Sequence, residues 1–298
     1  MTQTYREPHP MHWKHLWQTA PQVPLDELPR YTPWIERILG RAKFHCPQRI
    51  QREIIREYET ETYSPQLQLL KESPGASYTD LFRASYPQIH ELCCAKEGEF
   101  RLLSPQAAFE VQVGIFLEVL AQYAPAPALV ELGSGNGRLI TSFSELLHDT
   151  INTFIGLEPM PSGRAILEQR AKALANLVSA EGDIRANPFT SLPIPKGAIF
   201  YTSWVIYLFP DFNAKQFVDT LCSLQPRAII FFEPIPEILD PGSLYDTLVD
   251  SYTTINNYNK NFYSSIQNDS RLSILRTRKN VFGNNPLYPC SIIECTLS

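Results

Sequence analysis

The 298-residue chain lacks the features that mark membrane-spanning, exported and nucleic-acid-binding proteins. It contains no stretch of about 18 apolar residues, the length that a membrane-spanning helix needs. Its first residues hold no apolar segment behind a basic start. Lysine and arginine form no run, and 26 basic residues stand against 31 acidic ones, a formal net charge of -5. We therefore expect a cytoplasmic protein without a membrane or nucleic-acid partner.

The cysteines also lack the spacings of common metal and redox motifs. They form neither a CxxC pair nor a Cys/His metal pattern. An adjacent pair is a poor basis for a disulfide framework. We expect reduced thiols and no metal site. The six cysteines are Cys46, Cys93, Cys94, Cys222, Cys290 and Cys295.

Residues 1–105 lack a strand-like run with clean alternation of apolar and polar residues. The segments 31–39 and 49–63 carry apolar residues at roughly helical spacing, and many prolines interrupt the region. We predict a helical N-terminal cap over 1–105 in front of a core over 106–298. The large aromatic residues of the cap are expected to pack within it, rather than bind a ligand. They are Trp13, Trp17, Trp34, Phe44, Tyr58 and Tyr63.

The spacing of apolar residues changes in the remainder of the chain. A helix is predicted over 104–123, with Ser104 as its N-cap and Pro105 at its first position. Short apolar runs then alternate with helical segments, which is typical of parallel strands joined by helices. We predict a doubly wound α/β sheet that ends in a hairpin. Strands are expected at 129–132, 153–157, 197–201, 228–232, 273–282 and 290–297, and helices near 137–148, 163–177 and 213–224.

A glycine-rich turn follows the first predicted strand of this sheet. In Leu129-Val-Glu-Leu-Gly-Ser-Gly-Asn-Gly-Arg138, three glycines stand where the strand turns into a helix. Glycine allows a positive φ and lets the backbone approach a ligand closely. The pattern is GxGxG, and Arg138 occupies the place where a dinucleotide fingerprint needs a third small residue. The turn therefore favours a nucleotide-like ligand other than NAD.

This segment resembles the first motif of the class I S-adenosylmethionine-dependent methyltransferases, including the acid two positions before the first glycine. The resemblance implies a seven-stranded Rossmann-like sheet over 106–298. It implies that the loop lies against the methionyl part of the cofactor, with Glu131 near the amino group. An ordinary strand-to-helix turn with a solvated Glu131 is the alternative. The loop residues are Glu131, Gly133, Ser134, Gly135, Asn136 and Gly137.

A second acid follows the next predicted strand. Glu158 and Pro159 lie at the end of Phe154-Ile-Gly-Leu-Glu-Pro159. In dinucleotide-binding folds, an acid about 20 residues after the glycine loop accepts hydrogen bonds from the ribose. A carboxylate in the place of Glu158 can accept both ribose hydroxyls in the same way. We predict that Glu158 binds the ribose. A solvated glutamate at a strand end is the alternative.

The segment Glu181-Gly-Asp-Ile184 resembles the "GD plus apolar" motif of the same family. The resemblance implies that Asp183 accepts the adenine amine and that Ile184 holds the ring. A polar turn is the alternative, because Gly-Asp is common in turns.

The end of the fourth strand is where the resemblance places the methyl sulfonium opposite the acceptor. Thr202, Ser203 and Trp204 lie there and are expected to touch the cofactor. An aromatic face near a cation is electrostatically favourable. Packing of Trp204 under the sheet edge is an equal alternative.

The acceptor is less defined by the sequence. The fourth strand carries neither an Asn/Asp-Pro-Pro-Tyr/Phe motif nor a Pro-Cys pair, so no base of a nucleic acid is indicated. Every histidine precedes the acceptor-facing segments, so a base comes from the N-terminal region or the acceptor is already nucleophilic, as a carboxylate or a neutral amine is. No catalytic residue is assigned. Candidates for positioning the acceptor are Tyr207, Glu233, Arg101 and, in the polar stretch 252–263, Tyr258.

Together these patterns predict an S-adenosylmethionine-dependent methyltransferase that acts on a small molecule or peptide natural product, with a carboxylate as the favoured acceptor. N-methylation and hydroxyl O-methylation stay open. So do two other classes, a nicotinamide-dependent oxidoreductase and a catalytically silent module that only binds S-adenosylmethionine.

Overall fold

A computed structural model describes residues 12–41 and 51–298. Cys46 and Phe44 lie outside these ranges. A seven-stranded sheet with the order β5-β4-β3-β6-β7-β9-β8 forms the centre of the chain. Its strands are β3 (Ala126–Leu132), β4 (Ile151–Leu157), β5 (Leu177–Ala180), β6 (Ile199–Ser203), β7 (Ala228–Glu233), β8 (Leu272–Phe282) and β9 (Cys290–Leu297).

Helices cover this sheet and make up most of the N-terminal region. They are α1 (Trp13–Thr19), α2 (Trp34–Ile38), α3 (Gln51–Glu57), α4 (Ser64–Glu72), α5 (Tyr78–Ser85), α6 (Pro105–Leu120), α7 (Arg138–Leu146), α8 (Pro161–Ala171), α9 (Ala214–Ser223), α10 (Leu244–Ile255) and α11 (Phe262–Gln267). Short 3-10 turns occur at Leu25–Arg30, Ala121–Tyr123, Ile206–Leu208 and Pro236–Ile238, and a π-helical turn occurs at Tyr58–Tyr63.

The sheet confirms the predicted fold class. Strands β3 to β7 pair in parallel, and β9 pairs antiparallel with both β7 and β8. All six residues of β7 are buried, as expected for a strand covered by helices on both faces. The chain order reverses between β3 and β6, which creates a crevice at the carboxyl ends of these strands. The arrangement is doubly wound and Rossmann-like, as the resemblance implied.

Helix α6 begins as the sequence predicts. The Ser104 hydroxyl accepts a hydrogen bond from the Ala107 amide at 3.2 Å, and Pro105 takes the first helical position. The helix then buries its apolar residues against the sheet, where Phe116 stacks on Phe232 with ring centroids 3.7 Å apart. This contact ties the start of the core to β7.

The N-terminal region contains helices, as predicted, but one part of it is a β-hairpin that the sequence did not indicate. Strands β1 (Leu92–Lys96) and β2 (Glu99–Leu103) form an antiparallel hairpin. Glu97 and Gly98 connect them with φ values of 52° and 86°, a left-handed turn of the kind that joins two-residue hairpins. The hairpin also pairs with the core, since Ala95 and Gly283 exchange two backbone hydrogen bonds of 2.9 Å. Sequence alternation is weak here because tertiary contacts bury neighbouring residues on both faces.

The residues of the polar stretch 252–263 mainly make contacts within the protein. It contains the end of α10, a connecting loop and the start of α11. Asn259 is buried, and its side-chain amide donates to the Phe209 carbonyl at 3.1 Å. None of the helices in residues 12–41 and 51–298 is both long and apolar enough to span a bilayer. The five cysteines in these ranges are free thiols.

Candidate cofactor and acceptor site

A cavity of about 700 Å³ opens over the carboxyl ends of β3, β4 and β6. Its size lies within the range of small-molecule sites, and its place is the crevice where open α/β sheets bind ligands. Most of the predicted cofactor-binding residues line it. They are Glu131, Gly133, Ser134, Gly135, Asn136, Glu158, Pro159, Asp183, Ile184, Ser203 and Trp204. Gly137 and Thr202 lie behind this lining.

The glycine loop has the backbone conformation that the sequence predicts. Gly133, Gly135 and Gly137 have φ values of 77°, 59° and 78°. A Cβ on Gly133 would stand 2.6 Å from Val205, and one on Gly137 would stand 2.4 Å from Leu167. Each glycine is therefore required both by its φ and by a neighbouring side chain.

Glu158, which follows β4, connects that strand to the glycine loop. Its carboxylate accepts hydrogen bonds from the Gly135 amide at 2.7 Å and from the Met160 amide at 3.0 Å. Burial raises the pKa of the Glu158 carboxyl to about 7, although both amides act against this rise. Each carboxylate oxygen accepts more than one hydrogen bond. The group thus has acceptor capacity left for the hydroxyls of a ligand.

Glu131 is buried within β3, and it also stabilises the helix that follows the loop. It accepts a hydrogen bond from the Ile140 amide in the first turn of α7 at 3.2 Å. Burial raises the pKa of its carboxyl to about 8, while the neighbouring Tyr201 hydroxyl lowers it. An uncompensated charge at this depth is unfavourable, so a cationic group in the cavity would favour the ionised carboxylate.

Asp183 has a partner that the sequence did not reveal. The Arg185 guanidinium binds its carboxylate through two hydrogen bonds, of 2.7 and 2.5 Å. Burial acts to raise the pKa of Asp183, but the bonds from Arg185 outweigh it and the pKa is lowered. An adenine amine would share this carboxylate with Arg185. The predicted adenine contact of Asp183 stays a prediction.

The end of β6 contains a strained residue. Trp204 has a φ of 51°, which an aromatic residue rarely adopts. Its indole donates to the Tyr288 carbonyl at 3.2 Å and stacks on Phe116. Such strain often accompanies functional sites. Trp204 thus packs under the sheet edge and lines the cavity at once.

The buried hydroxyl of Ser134, in the glycine loop, has no hydrogen-bond partner among the described residues. Buried polar groups are normally bonded. Ser134 lines the cavity, so a ligand there could satisfy its hydroxyl.

Tyr207 is the acceptor-positioning candidate that lines the cavity. Its ring stacks on Tyr288 with centroids 5.9 Å apart, and Tyr258 packs edge-on behind it at 4.6 Å. Tyr258 therefore supports the cavity wall from the rear.

Glu233 holds the turn that presents Tyr207. It is fully buried, and both of its oxygens accept from the Val205 amide at 3.1 Å. Burial raises the pKa of the Glu233 carboxyl to about 7. The group lies behind the wall rather than in it.

Arg101 lies away from the cavity. Its guanidinium donates to the carbonyls of Gln18 and Ala20 at 3.1 and 2.9 Å, and it covers the ring of Trp17. These contacts attach the first helix of the N-terminal region to the hairpin.

The N-terminal region contributes much more of the cavity than the sequence indicates. Trp34, Tyr58 and Tyr63, expected as internal packing, line it. One signal was available: Tyr58, Thr62 and Gln66 stand four residues apart, a spacing that places side chains on one face of a helix. Further lining aromatics are Tyr31, Phe82, Tyr86, Phe209 and Tyr288.

The charges that face the cavity are mostly acidic. Within the described residues, Glu91, Glu131, Glu158 and Asp183 line it, against Arg138 as the one basic residue. The Arg138 guanidinium lies 4.0 Å from the ring centroid of Phe109 and donates to Gln112 at 3.2 Å. The excess of acidic over basic side chains in this lining suits a ligand with net positive charge.

Several solved structures are similar to the chain at the level of the fold. The geranyl diphosphate C-methyltransferase of Streptomyces coelicolor A3(2), solved with S-adenosyl-L-homocysteine, is 11% identical, with a TM-score of 0.48 over 84% of this chain and 99% of that one. The mitomycin 7-O-methyltransferase MmcR is 16% identical, with a TM-score of 0.46 over 98% and 74%. The CcbJ methyltransferase of Streptomyces caelestis is 11% identical, with a TM-score of 0.39 over 61% and 88%.

No family model and no curated protein sequence matches the chain. Similarities as distant as those above carry no argument about activity, which rests on the site itself.

Proposed function

We propose that the protein transfers the methyl group of S-adenosylmethionine to a small-molecule acceptor. One observation carries the proposal: the glycine loop and Glu158 meet in one cavity, joined by the 2.7 Å hydrogen bond from the Gly135 amide. This places a buried carboxylate beside a loop whose three glycines have positive φ values. The loop follows β3, which borders the reversal point of the sheet, and Glu158 follows the adjacent strand β4.

The residues present fit the cofactor. Glu158 would accept the ribose hydroxyls, while Asp183 and Ile184 would hold the adenine ring. Glu131 and the loop from Gly133 would face the positively charged methionyl part, in keeping with the acidic lining. When bound, the cofactor supplies an activated methyl group on a sulfonium leaving group. The protein aligns the reactants and excludes water.

A nicotinamide cofactor fits less well. A dinucleotide site needs a small residue at position 138 for close packing of helix and strand. Arg138 stands there and reaches over Phe109.

The acceptor side favours a group that is neutral when it reacts. The carboxylate acceptor predicted from the sequence stays a prediction, and the described lining offers it only Arg138, which already contacts Phe109 and Gln112. A wall of tyrosine and tryptophan rings instead suits an apolar or aromatic molecule. We therefore propose a hydroxyl or neutral amine as acceptor, on a small molecule rather than a nucleic acid.

The tyrosines are suited to orient the acceptor and unsuited to deprotonate it. Burial raises the pKa of the Tyr207 hydroxyl well above its ordinary value, and that of Tyr58 as well. Both hydroxyls stay protonated at neutral pH and act as hydrogen-bond partners. Positioning and desolvation then supply the rate enhancement.

A ligand-binding comparison tests the cofactor. Unfolding of the full chain would be followed with S-adenosylhomocysteine, with NADH and without ligand. At one hundred times its dissociation constant, a ligand stabilises the folded state by about 2.7 kcal/mol. We expect a raised Tm with S-adenosylhomocysteine alone. A rise with NADH alone would contradict the proposal.

Methyl transfer is the second test. The protein would be incubated with methyl-labelled S-adenosylmethionine and fractionated small-molecule extract, and the labelled product identified by mass spectrometry. We expect a methyl group that survives mild base, as an ether or amine does. A base-labile ester would restore the carboxylate acceptor. Cofactor binding without transfer to any fraction would indicate a binding module. The expected cytoplasmic location stays a prediction.

A further inference from the structure

Residues 58–66 cross over the glycine loop, and we call them the roof segment. They comprise the π-helical turn Tyr58–Tyr63 and the start of α4. Side chains from this segment line the cavity opposite the sheet. π-Helical turns occur frequently at functional sites, because they redirect side chains within a helix. The segment belongs to the region that the sequence indicates only as a cap.

Glu59 anchors one side of the roof segment to the core. Its carboxylate accepts from the Ser162 amide at 3.2 Å and from the Ser162 hydroxyl at 2.6 Å. Ser162 lies in the first turn of α8, where exposed amides and the helix dipole favour a negative charge. The same helix begins just after Glu158. The anchor therefore joins the roof segment to the strand end that carries the proposed ribose-binding acid.

Gln66 anchors the other side. Its side-chain oxygen accepts from the Asn136 amide group at 2.8 Å, within the glycine loop. Its amide group donates to the Ser85 hydroxyl at 3.0 Å, and that hydroxyl donates to the Thr62 carbonyl at 2.7 Å. The roof segment is thus bonded to the loop and to α5.

Tyr63 lies between these anchors, with its hydroxyl directly above Gly135. A Cβ on Gly135 would stand 2.5 Å from the Tyr63 oxygen. Burial raises the pKa of this hydroxyl well above its ordinary value, and the charge of Glu158 adds to the effect. Within residues 12–41 and 51–298 the hydroxyl makes no hydrogen bond. It is a protonated donor that faces the cavity without a partner in that part of the chain.

We infer that Tyr63 is a cofactor-binding residue contributed by the N-terminal region, and that Glu59 and Gln66 are positioning residues that hold it over the loop. The inference rests on the proposed function, because it concerns the same cofactor. It adds a group from outside the four sequence motifs.

The Tyr63 hydroxyl is tested by Tyr63→Phe, which removes one oxygen. The control is Tyr263→Phe on α11, a half-buried tyrosine outside the cavity lining. Calorimetry with S-adenosylhomocysteine should show about tenfold weaker binding for Tyr63→Phe and unchanged binding for the control. Equal affinity in Tyr63→Phe and the unsubstituted protein would overturn the inference.

The Glu59 anchor is tested by Glu59→Gln, with Glu61→Gln on the exposed side of the same turn as the control. We expect S-adenosylhomocysteine to dissociate at least about threefold faster from Glu59→Gln and at an unchanged rate from Glu61→Gln. The Tm without ligand should change equally little in the two variants. A lower Tm with an unchanged dissociation rate would show that Glu59 is merely structural. Absence of binding by the unsubstituted protein would instead refute the proposed function.

Discussion

The two halves of the cavity differ in how the chain builds them. The proposed cofactor half comes mainly from the ends of the adjacent strands β3, β4 and β5, with Glu131 and Glu158 only 27 positions apart in the sequence, and Tyr63 is its inferred addition from the N-terminal region. The acceptor half combines the N-terminal region, the end of β6 and the turn between β8 and β9. Short-range patterns therefore describe the first half well and the second poorly. The comparison separates a proposed cofactor-binding function, whose residues lie close together in the sequence, from a proposed acceptor specificity, whose residues lie far apart.

The largest expected effect is the loss of the loop conformation. Gly135→Ala places a Cβ 2.5 Å from the Tyr63 oxygen, at a φ of 59°. We expect S-adenosylhomocysteine binding to weaken by at least about 100-fold, because the loop and the roof segment must both move. Calorimetry measures the change. Gly75→Ala is the control, since an added Cβ there meets nothing within 4 Å. Retained affinity in Gly135→Ala would show that the loop does not bind the cofactor.

The next effect concerns the ribose. Glu158→Ala removes the carboxylate that we expect to accept two hydroxyls. Binding of S-adenosylhomocysteine should weaken by about 1–3 kcal/mol, from the loss of charge-assisted hydrogen bonds. Circular dichroism should show a folded protein. Glu168→Ala, on an exposed position of α8, serves as the control. Equal affinities would contradict the assigned role of Glu158.

The buried acids make stability depend on pH. The pKa values of Glu131, Glu158 and Glu233 rise to about 8, 7 and 7, so the folded state binds protons more tightly than the unfolded state. The contribution of these three acids to stability is fully present below the pKa of an unfolded glutamate, 4.5. It is lost as the pH rises from that value towards 8. We expect the free energy of unfolding without ligand to fall by at least about 2 kcal/mol between pH 5.5 and 8.5.

Glu131→Gln sharpens this prediction, because it removes the most strongly shifted of the three acids. Denaturant unfolding of this variant should depend less on pH than unfolding of the unsubstituted protein. If its slope is as steep, Glu131 does not contribute to the pH dependence.

The smallest effect on the cofactor is expected from the acceptor half. Tyr207→Phe leaves the ring in place, so binding of S-adenosylhomocysteine should change by less than about twofold. Methyl transfer to the identified acceptor should show a higher KM for that acceptor if the hydroxyl orients it. A large loss of cofactor affinity would mean that the two halves are not separate.

The sequence predicted the sheet, helix α6 and most residues that line the proposed cofactor half of the cavity, because these depend on periodicity and on glycine. It did not predict the hairpin at β1 and β2, whose pairing with the core occurs across a long stretch of chain. The bonds from Arg185 to Asp183 were also missed, although the two residues are neighbours in sequence. Side-chain pairing is decided by local geometry that a motif does not contain.

The sequence by itself determined a doubly wound sheet and a glycine loop beside an acid, since strand periodicity, positive φ and residue spacing are local properties. Only the tertiary structure decided that Tyr63 covers Gly135 and that Glu59 joins the roof segment to Ser162. It also decided that Glu233 accepts hydrogen bonds from backbone amides. These contacts join residues that are far apart in the chain. Their formation depends on the packing of the N-terminal region against the core, which no short stretch of sequence specifies.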